Sequence, residues 1–283
     1  PTLDPFLFCV HHEDFYPSGN DEFGPNSSLK GRNIGQDFTI KDGWRMYHGD
    51  KVPGFPAHPH RGFETVTVVT EGVVDHADSM GAAGRYGGGD TQWMTAGKGI
   101  QHSEMFPLLN RDQGNKLELF QIWLNLPGSH KMVEPHFTML WKASIPIHEI
   151  TDDNGKKTKI DIIAGMANNC SPPKAPPDSW AADQNNKVAI WLIKMEPNAH
   201  YSIPAEGIGL NRSLYFYDGL SLNIDGTDIS PMHSAELDSS STAPIINGNK
   251  ESCLLFLQGR PIREPIAHHG PFVMNTETEL EQT

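Results

Sequence analysis

His58-Pro59-His60-Arg61-Gly62-Phe63-Glu64 and, about forty residues on, Gly97-Lys98-Gly99-Ile100-Gln101-His102-Ser103-Glu104 are the two stretches on which the reading of this chain turns. In a β-strand, side chains two residues apart leave the same face. His58 and His60 therefore aim together, and so do His102 and Glu104. Three imidazoles and one carboxylate brought to one point would hold a single divalent ion. Two or three strands' worth of sequence separates the pairs, a spacing that lets an antiparallel meander return to the same end of a barrel.

The intervening sequence supplies those strands. Phe63-Glu64-Thr65-Val66-Thr67-Val68-Val69-Thr70 is dominated by β-branched residues, Glu71-Gly72 interrupts it, and Val73-Val74-Asp75-His76-Ala77 follows. This pattern predicts a hairpin. The glycine-dense run from Gly81 to Asp90 leads into Thr91-Gln92-Trp93-Met94-Thr95-Ala96. A phosphate loop requires Gly-Lys-Ser/Thr at a helix entry. Gly97-Lys98-Gly99 lacks the hydroxyl and leads to a strand, so these glycines read as tight turns. Leu117 to Leu126 alternates as a strand with one buried face and stops at Pro127-Gly128.

Working outward, Asp14 to Lys51 is rich in Gly, Asn, Asp, Ser and Pro and reads as a long surface excursion, a rim or lid. Past Trp141 short apolar pieces resume, with Asp152-Asp153-Asn154-Gly155 as a hairpin turn before Ile160-Asp161-Ile162-Ile163. A domain boundary falls within 140–148, giving residues 1–143 and 144–283 as two domains. Cys170 to Asp178 is proline-rich and extended, hence loop. Strands return at Val188–Met195, Leu214–Tyr217, Leu220–Ile224 and Cys253–Leu257. The strand, Asp218-Gly219 turn and strand from Ser213 to Asp225 echo Thr65 to Asp78. Many short strands with 27 glycines and 22 prolines point to an all-β barrel or jelly roll in each half.

The totals exclude several functions. A formal charge of −13 argues against a nucleic-acid partner, since phosphate backbones are gripped by Lys/Arg clusters. Cys9, Cys170 and Cys253 are three widely spaced cysteines, which suit neither a disulfide framework nor a thiolate site. Reduced thiols in a cytoplasmic, soluble protein are expected. No window approaches the roughly 18 apolar residues of a membrane span. The opening proline points to residues ahead of it.

Among 14 histidines, spacing selects the ligands. A His₃-carboxylate set suits Fe, Mn, Co, Ni, Cu or Zn and disfavours Ca and Mg. His11-His12 lies near the start without evident partners and reads as a surface or core-edge pair. His268-His269 are adjacent, so at most one faces any cluster. His200 and His233 stand isolated, and no metal is expected in the second half. Lys98 and Gln101 flank His102 as pocket or solvated-turn residues. Phe63, Trp93, Met94 and Phe120 read as barrel core.

Four segments in order carry a family resemblance. They are His58 to Val66, Gly89 to Met105, Lys131-Met132-Val133-Glu134-Pro135, and Arg263 to Thr276. Over about Leu3 to Thr276 the chain resembles the pirin family of the cupin superfamily. The resemblance implies two tandem cupin (jelly-roll-like) β-barrels with few short helices. One iron would sit in the first, held by the residues matching His58, His60, His102 and Glu104. Most cupins use the first motif's glutamate, here Glu64, as a ligand; the pirin pattern takes Glu104 and leaves Glu64 as scaffold. The family's C-terminal helix would lie past Thr276 and is mostly absent.

The activity implied is that of a metal-dependent dioxygenase of the quercetin 2,3-dioxygenase type, which opens a flavonol with O₂ and releases carbon monoxide. Glu104 would be its general base. The same resemblance also implies an alternative, a non-catalytic, redox-sensing iron module that acts through protein partners in transcriptional co-regulation. A third reading is a zinc or iron protein acting on another small aromatic or enol, since one scaffold hosts many chemistries.

Overall fold

Runs of β-branched residues make the strands of this protein, and glycine-bearing corners decide which sheet each strand joins. The computed structural model describes residues 1–283 and resolves them into two compact units. The first comprises Phe8–Lys142 with Glu264–Thr283, and the second Ala143–Arg263 with Pro1–Leu7.

In the first unit the strands are β1 (Phe6–Tyr16, from Phe8 on), β2 (Gly54–His60), β3 (Phe63–Glu71), β4 (Val73–Asp78), β5 (Ala83–Gly87), β6 (Thr91–Thr95), β7 (Ile100–Met105), β8 (Asn115–Asn125) and β9 (His136–Leu140). They form a five-stranded sheet, β1-β8-β3-β6-β9, and a four-stranded sheet, β2-β7-β4-β5. The second unit holds β10 (Ile147–Thr151), β11 (Lys157–Ala164), β12 (Ala189–Met195), β13 (His200–Ile203), β14 (Asn211–Asp218), β15 (Leu222–Ile224), β16 (Thr227–Ile229), β17 (His233–Glu236), β18 (Ala243–Asn247) and β19 (Ser252–Gly259). Its sheets run β10-β11-β12-β19-β14-β17 and β13-β18-β15-β16. Near the C-terminus β20 (Ala267–His269) pairs with β21 (Phe272–Met274), and α1 (Glu277–Glu281) follows. The all-β, two-barrel architecture expected from the sequence is the one observed.

Three readings change. Phe63–Thr70 and Val73–Ala77 are strands but not a hairpin: β3 pairs with β6 and β8, whereas β4 pairs with β5 and β7. Glu71-Gly72 is a corner where the chain leaves one sheet for the other, with Gly72 at φ +78°. Asp218-Gly219 does the same between β14 and β15, so the echo between the halves is a shared corner. Asp152–Gly155 does close a hairpin, β10 against β11.

Secondly, the 14–51 segment is not a surface excursion throughout. Trp44, Met46 and Tyr47 are fully buried and join the core of the first unit with Val69, Val74 and Leu117. The Arg32 guanidinium stacks 3.3 Å from the Trp44 ring centroid and pairs with Asp37. Turn-forming residues thus alternate with aromatic anchors, and composition weighted the former.

Thirdly, the division into residues 1–143 and 144–283 differs from the units at both ends. Asp4 accepts the Ile262 and Arg263 amides at 2.9 and 2.8 Å, tying the N-terminal residues into the second unit. Glu264 accepts the Asn275 amide at 2.7 Å and the Gly128 backbone N–H, which seats the C-terminal segment in the first. A short helix does form past Thr276, opened by a capping box between Thr276 and Glu279. All three cysteines are free thiols, and no helix is long and apolar enough to cross a membrane.

Candidate metal centre and cavity

β2 and β7 are hydrogen-bonded neighbours, with His58 directly opposite His102. An irregularity in register between Phe55 and His58 re-aims the end of β2, and alternation then turns His58 and His60 the same way. Ring centroids are 4.4 Å apart for His58–His102, 4.8 Å for His58–His60 and 4.9 Å for His60–His102. One ligand nitrogen from each of the three lies within 4.8 Å of the others.

The hydrogen bonding shows which nitrogens are available. His58 Nδ1 stands 2.8 Å from the Pro56 carbonyl, which can only accept, so Nδ1 is the donor and Nε2 is the nitrogen left for a ligand. His60 and His102 are 4% and 1% exposed, and none of their four ring nitrogens has a hydrogen-bond partner in the protein. Buried polar atoms left unpaired are costly and uncommon. Burial first, and then the neighbouring His58, holds His60 down to about 3. Burial, with His60, His58 and His76, also pushes His102 down. Three converging imidazoles, two of them buried with unpartnered ring nitrogens, fit a transition-metal ion.

Glu104 occupies a different environment. It is buried, its Oε2 lies 3.9 Å from His102 Nε2, and it stands apart from the tight three-histidine group. Oε1 accepts from Thr67 Oγ1 at 3.0 Å and Oε2 from Gln121 Nε2 at 3.3 Å. Burial raises its pKa; His58, the Thr67 hydroxyl, His76 and the Gln121 amide oppose that rise. Glu64 faces elsewhere: fully buried on β3, it accepts from Thr95 Oγ1 at 2.6 Å.

Beside the histidines opens a cavity of about 450 Å³. Its walls are Phe8, Val10, Phe38, Phe55, Phe106, Leu119, Trp123 and Pro271, and its polar groups are His12, His48, His58, His60, Thr67, Glu104 and Gln121. Strand parity explains the lining: Phe8, Val10 and His12 leave one face of β1, and Leu119, Gln121 and Trp123 one face of β8. Phe38 and His48 show that the 14–51 segment does border the cavity.

Sequence reasoning missed His76, which β4 places opposite Glu104 with its ring 5.5 Å from that of His102. Its Nε2 pairs with Asp78 at 2.9 Å, leaving a buried, unpartnered Nδ1. Parity along β4 carried that signal. His11-His12 is no idle pair either: His11 bonds Glu118 at 3.0 Å, while His12 lines the cavity. Phe63, Trp93, Met94 and Phe120 are buried and do not line it. Lys98 pairs with Glu134 at the surface, Gln101 is exposed, and His268 bonds the Gly270 carbonyl at 2.7 Å.

Comparison with known proteins agrees in sequence and in fold. The Pirin family model matches residues 4–124, and the Pirin C-terminal cupin domain model matches residues 190–283. Human pirin is 34% identical over 242 residues, covering 83% of this chain and 77% of the human one. A Pseudomonas aeruginosa protein, named provisionally as a quercetin 2,3-dioxygenase, is 36% identical over 229 residues, 81% of this chain and 76% of its own. The crystal structure of a quercetin 2,3-dioxygenase from Acinetobacter baumannii superposes with a TM-score of 0.71 at 26% identity, covering 99% of this chain and 95% of that one.

Proposed function

This chain belongs to the pirin family, and from that premise we propose that it is a metal-dependent dioxygenase of the quercetin 2,3-dioxygenase type, opening a flavonol-like enol with O₂ in the cavity of the first barrel. The observation that carries the reading is the juxtaposition of three converging imidazoles, two of them buried with unpartnered ring nitrogens, with an apolar cavity of about 450 Å³, a size suited to a planar aromatic ligand. Among the relatives, the Acinetobacter protein's name points the same way.

His58, His60 and His102 would hold the ion and Glu104 would complete the set, with iron as the resident metal. When bound, that metal supplies the Lewis acidity and one-electron chemistry that O₂ activation requires. The residues of the chain do the rest. Trp123, Phe55 and Leu119 exclude water and sandwich the aromatic body. Burial strengthens Glu104 as a base, so it takes the proton from the enol hydroxyl, and the Thr67 and Gln121 hydrogen bonds keep the carboxylate aimed.

Anaerobic reconstitution with Fe, Mn, Co, Ni or Cu, followed by aeration with quercetin, tests this. Loss of the flavonol's visible absorbance with release of carbon monoxide is expected, with Glu104→Gln slowing turnover by about 10²-fold or more. His58→Ala should abolish both metal retention and turnover. An intact flavonol across all five metal forms would overturn the proposal.

A further inference from the structure

Most polar groups of the cavity are already engaged. Thr67, Gln121 and Glu104 bond one another, and three histidines converge on the ion site. His48 is exposed, its Nδ1 bonded to the Gly35 carbonyl at 2.7 Å. His12 is the exception, a cavity-lining imidazole only 8% exposed.

A chain of four buried or half-buried groups fixes its protonation. Arg45 donates from Nε to Asp14 Oδ1 at 3.0 Å and from Nη2 to Asp14 Oδ2 at 2.9 Å. This fork occupies both oxygens as acceptors, which is the geometry of an ionised carboxylate. Tyr47 Oη lies 2.6 Å from Asp14 Oδ2 and must donate to it. The single Tyr47 proton is thereby committed, so the contact between Tyr47 Oη and His12 Nδ1, 2.8 Å, has to be donated by the histidine. Nδ1 then carries the ring's proton, and Nε2 is left with its lone pair. Nε2 makes no hydrogen bond within the protein and is not closed off from solvent, so it opens to the cavity. Burial, with Arg45 and His11, holds the ring's pKa down to about 3, which keeps it neutral at physiological pH.

Phe55 neighbours both His12 and the ion site, with ring centroids 6.1 Å from His12 and 6.2 Å from His58, and no ring contact joins the two histidines directly. His12 is therefore poised for a part of the ligand beyond the chelating enol. We propose that His12 Nε2, set as an acceptor by the Arg45–Asp14–Tyr47 chain, receives a hydrogen bond from a ring hydroxyl of the substrate remote from the enol, and so selects polyhydroxylated aromatic substrates. This rests on the flavonol reading of the cavity and adds a specificity-determining residue to it. A site built to accept one hydroxyl discriminates against the analogue lacking it, because its own polar atom is then buried unpaired.

The test uses the full chain, loaded with metal and kept anaerobic, and two flavonols that differ only in hydroxyls remote from the enol. Affinities are read from quenching of tryptophan fluorescence, since Trp123 lines the cavity. The wild-type protein should prefer the hydroxylated flavonol by about tenfold or more. His12→Leu should bring the two within twofold by weakening the hydroxylated ligand alone. Tyr47→Phe, which keeps the ring but frees the tautomer, should give an intermediate ratio. Equal loss of both ligands in His12→Leu, or an unchanged ratio in either variant, overturns the proposal. If wild type binds both flavonols with one affinity and consumes both once air is admitted, His12 is misassigned while the dioxygenase reading stands. If it binds neither, both readings fall together.

Discussion

The two barrels share a corner and an antiparallel topology, yet their interiors are opposites. Between the sheets of the second barrel lie Ile160, Trp191, Ile193, Leu214, Phe216, Leu254 and Phe256, all buried in one continuous apolar cluster. The first barrel has a comparable cluster around Trp44, Tyr47, Val69 and Leu117, but the space beside it is a cavity edged with imidazoles, a carboxylate and an amide. Corner-aligned positions make the contrast local. Thr67, five residues before Gly72, bonds Glu104, whereas Leu214, five residues before Gly219, packs into hydrocarbon. The first barrel gives up packing to keep a void beside its imidazoles, and the second is filled with hydrocarbon.

From that contrast, equal truncations should cost unequally. Leu254 is 0% exposed inside the packed cluster, so Leu254→Ala leaves a new hole and should destabilise by about 3–5 kcal/mol. Leu119 already has one flank against the cavity, so Leu119→Ala forfeits fewer contacts and should fall near about 2 kcal/mol. Urea unfolding of each variant against wild type decides the point. Equal costs would mean that the first interior is as tightly packed as the second.

Acid should separate the barrels by a smaller margin. The histidines that burial holds low, His12, His60 and His102, all belong to the first. A histidine held below its unfolded pKa in the native state stays neutral while the unfolded chain gains a proton, so stability is lost as pH falls. For His12, with 6.5 unfolded and about 3 folded, the loss is about 2 kcal/mol by pH 5 and continues toward pH 3. The drop in unfolding free energy between pH 7 and pH 5 should therefore shrink by about 2 kcal/mol in His12→Leu. The same drop in variant and wild type would show that His12 titrates normally.

Strand parity explains how much of this was legible. His58, His60 and His102 were readable because a two-residue spacing fixes a shared face, and the register places His58 opposite His102. His12 and His76 obey the same rule, on β1 and β4, but each needed a partner that only sheet order reveals: His76 meets Glu104 across strands, and His12 meets Tyr47 from a distant loop. The apolar walls were equally hidden, since Phe8, Phe55 and Trp123 look like any core aromatic until the void beside them is known. None of these positions selects one metal over another, because converging imidazoles suit several transition ions.

The corners themselves provide the finest comparison, and they are where the sequence most resembled something else. A Gly after an acidic residue between two β-runs signals a hairpin, but here each glycine carries the chain between sheets. Gly72 at φ +78° leaves room for little: an added Cβ would stand 2.8 Å from the Lys116 carbonyl oxygen. Gly219 at φ +142° is tighter, with Ser252 Oγ at 2.3 Å and the Phe216 ring at 2.6 Å. Neither obstacle can retreat, because Ser252 Oγ is fixed to Asn247 at 2.6 Å and Phe216 belongs to the packed cluster. Alanine at either corner also meets the left-handed backbone penalty of about 1 kcal/mol. Gly72→Ala should thus cost about 1 kcal/mol and Gly219→Ala nearer 2, the excess being the overpacking of a full interior. Thermal unfolding of the two variants would register that difference, and a reversed order would place the tighter packing in the first barrel.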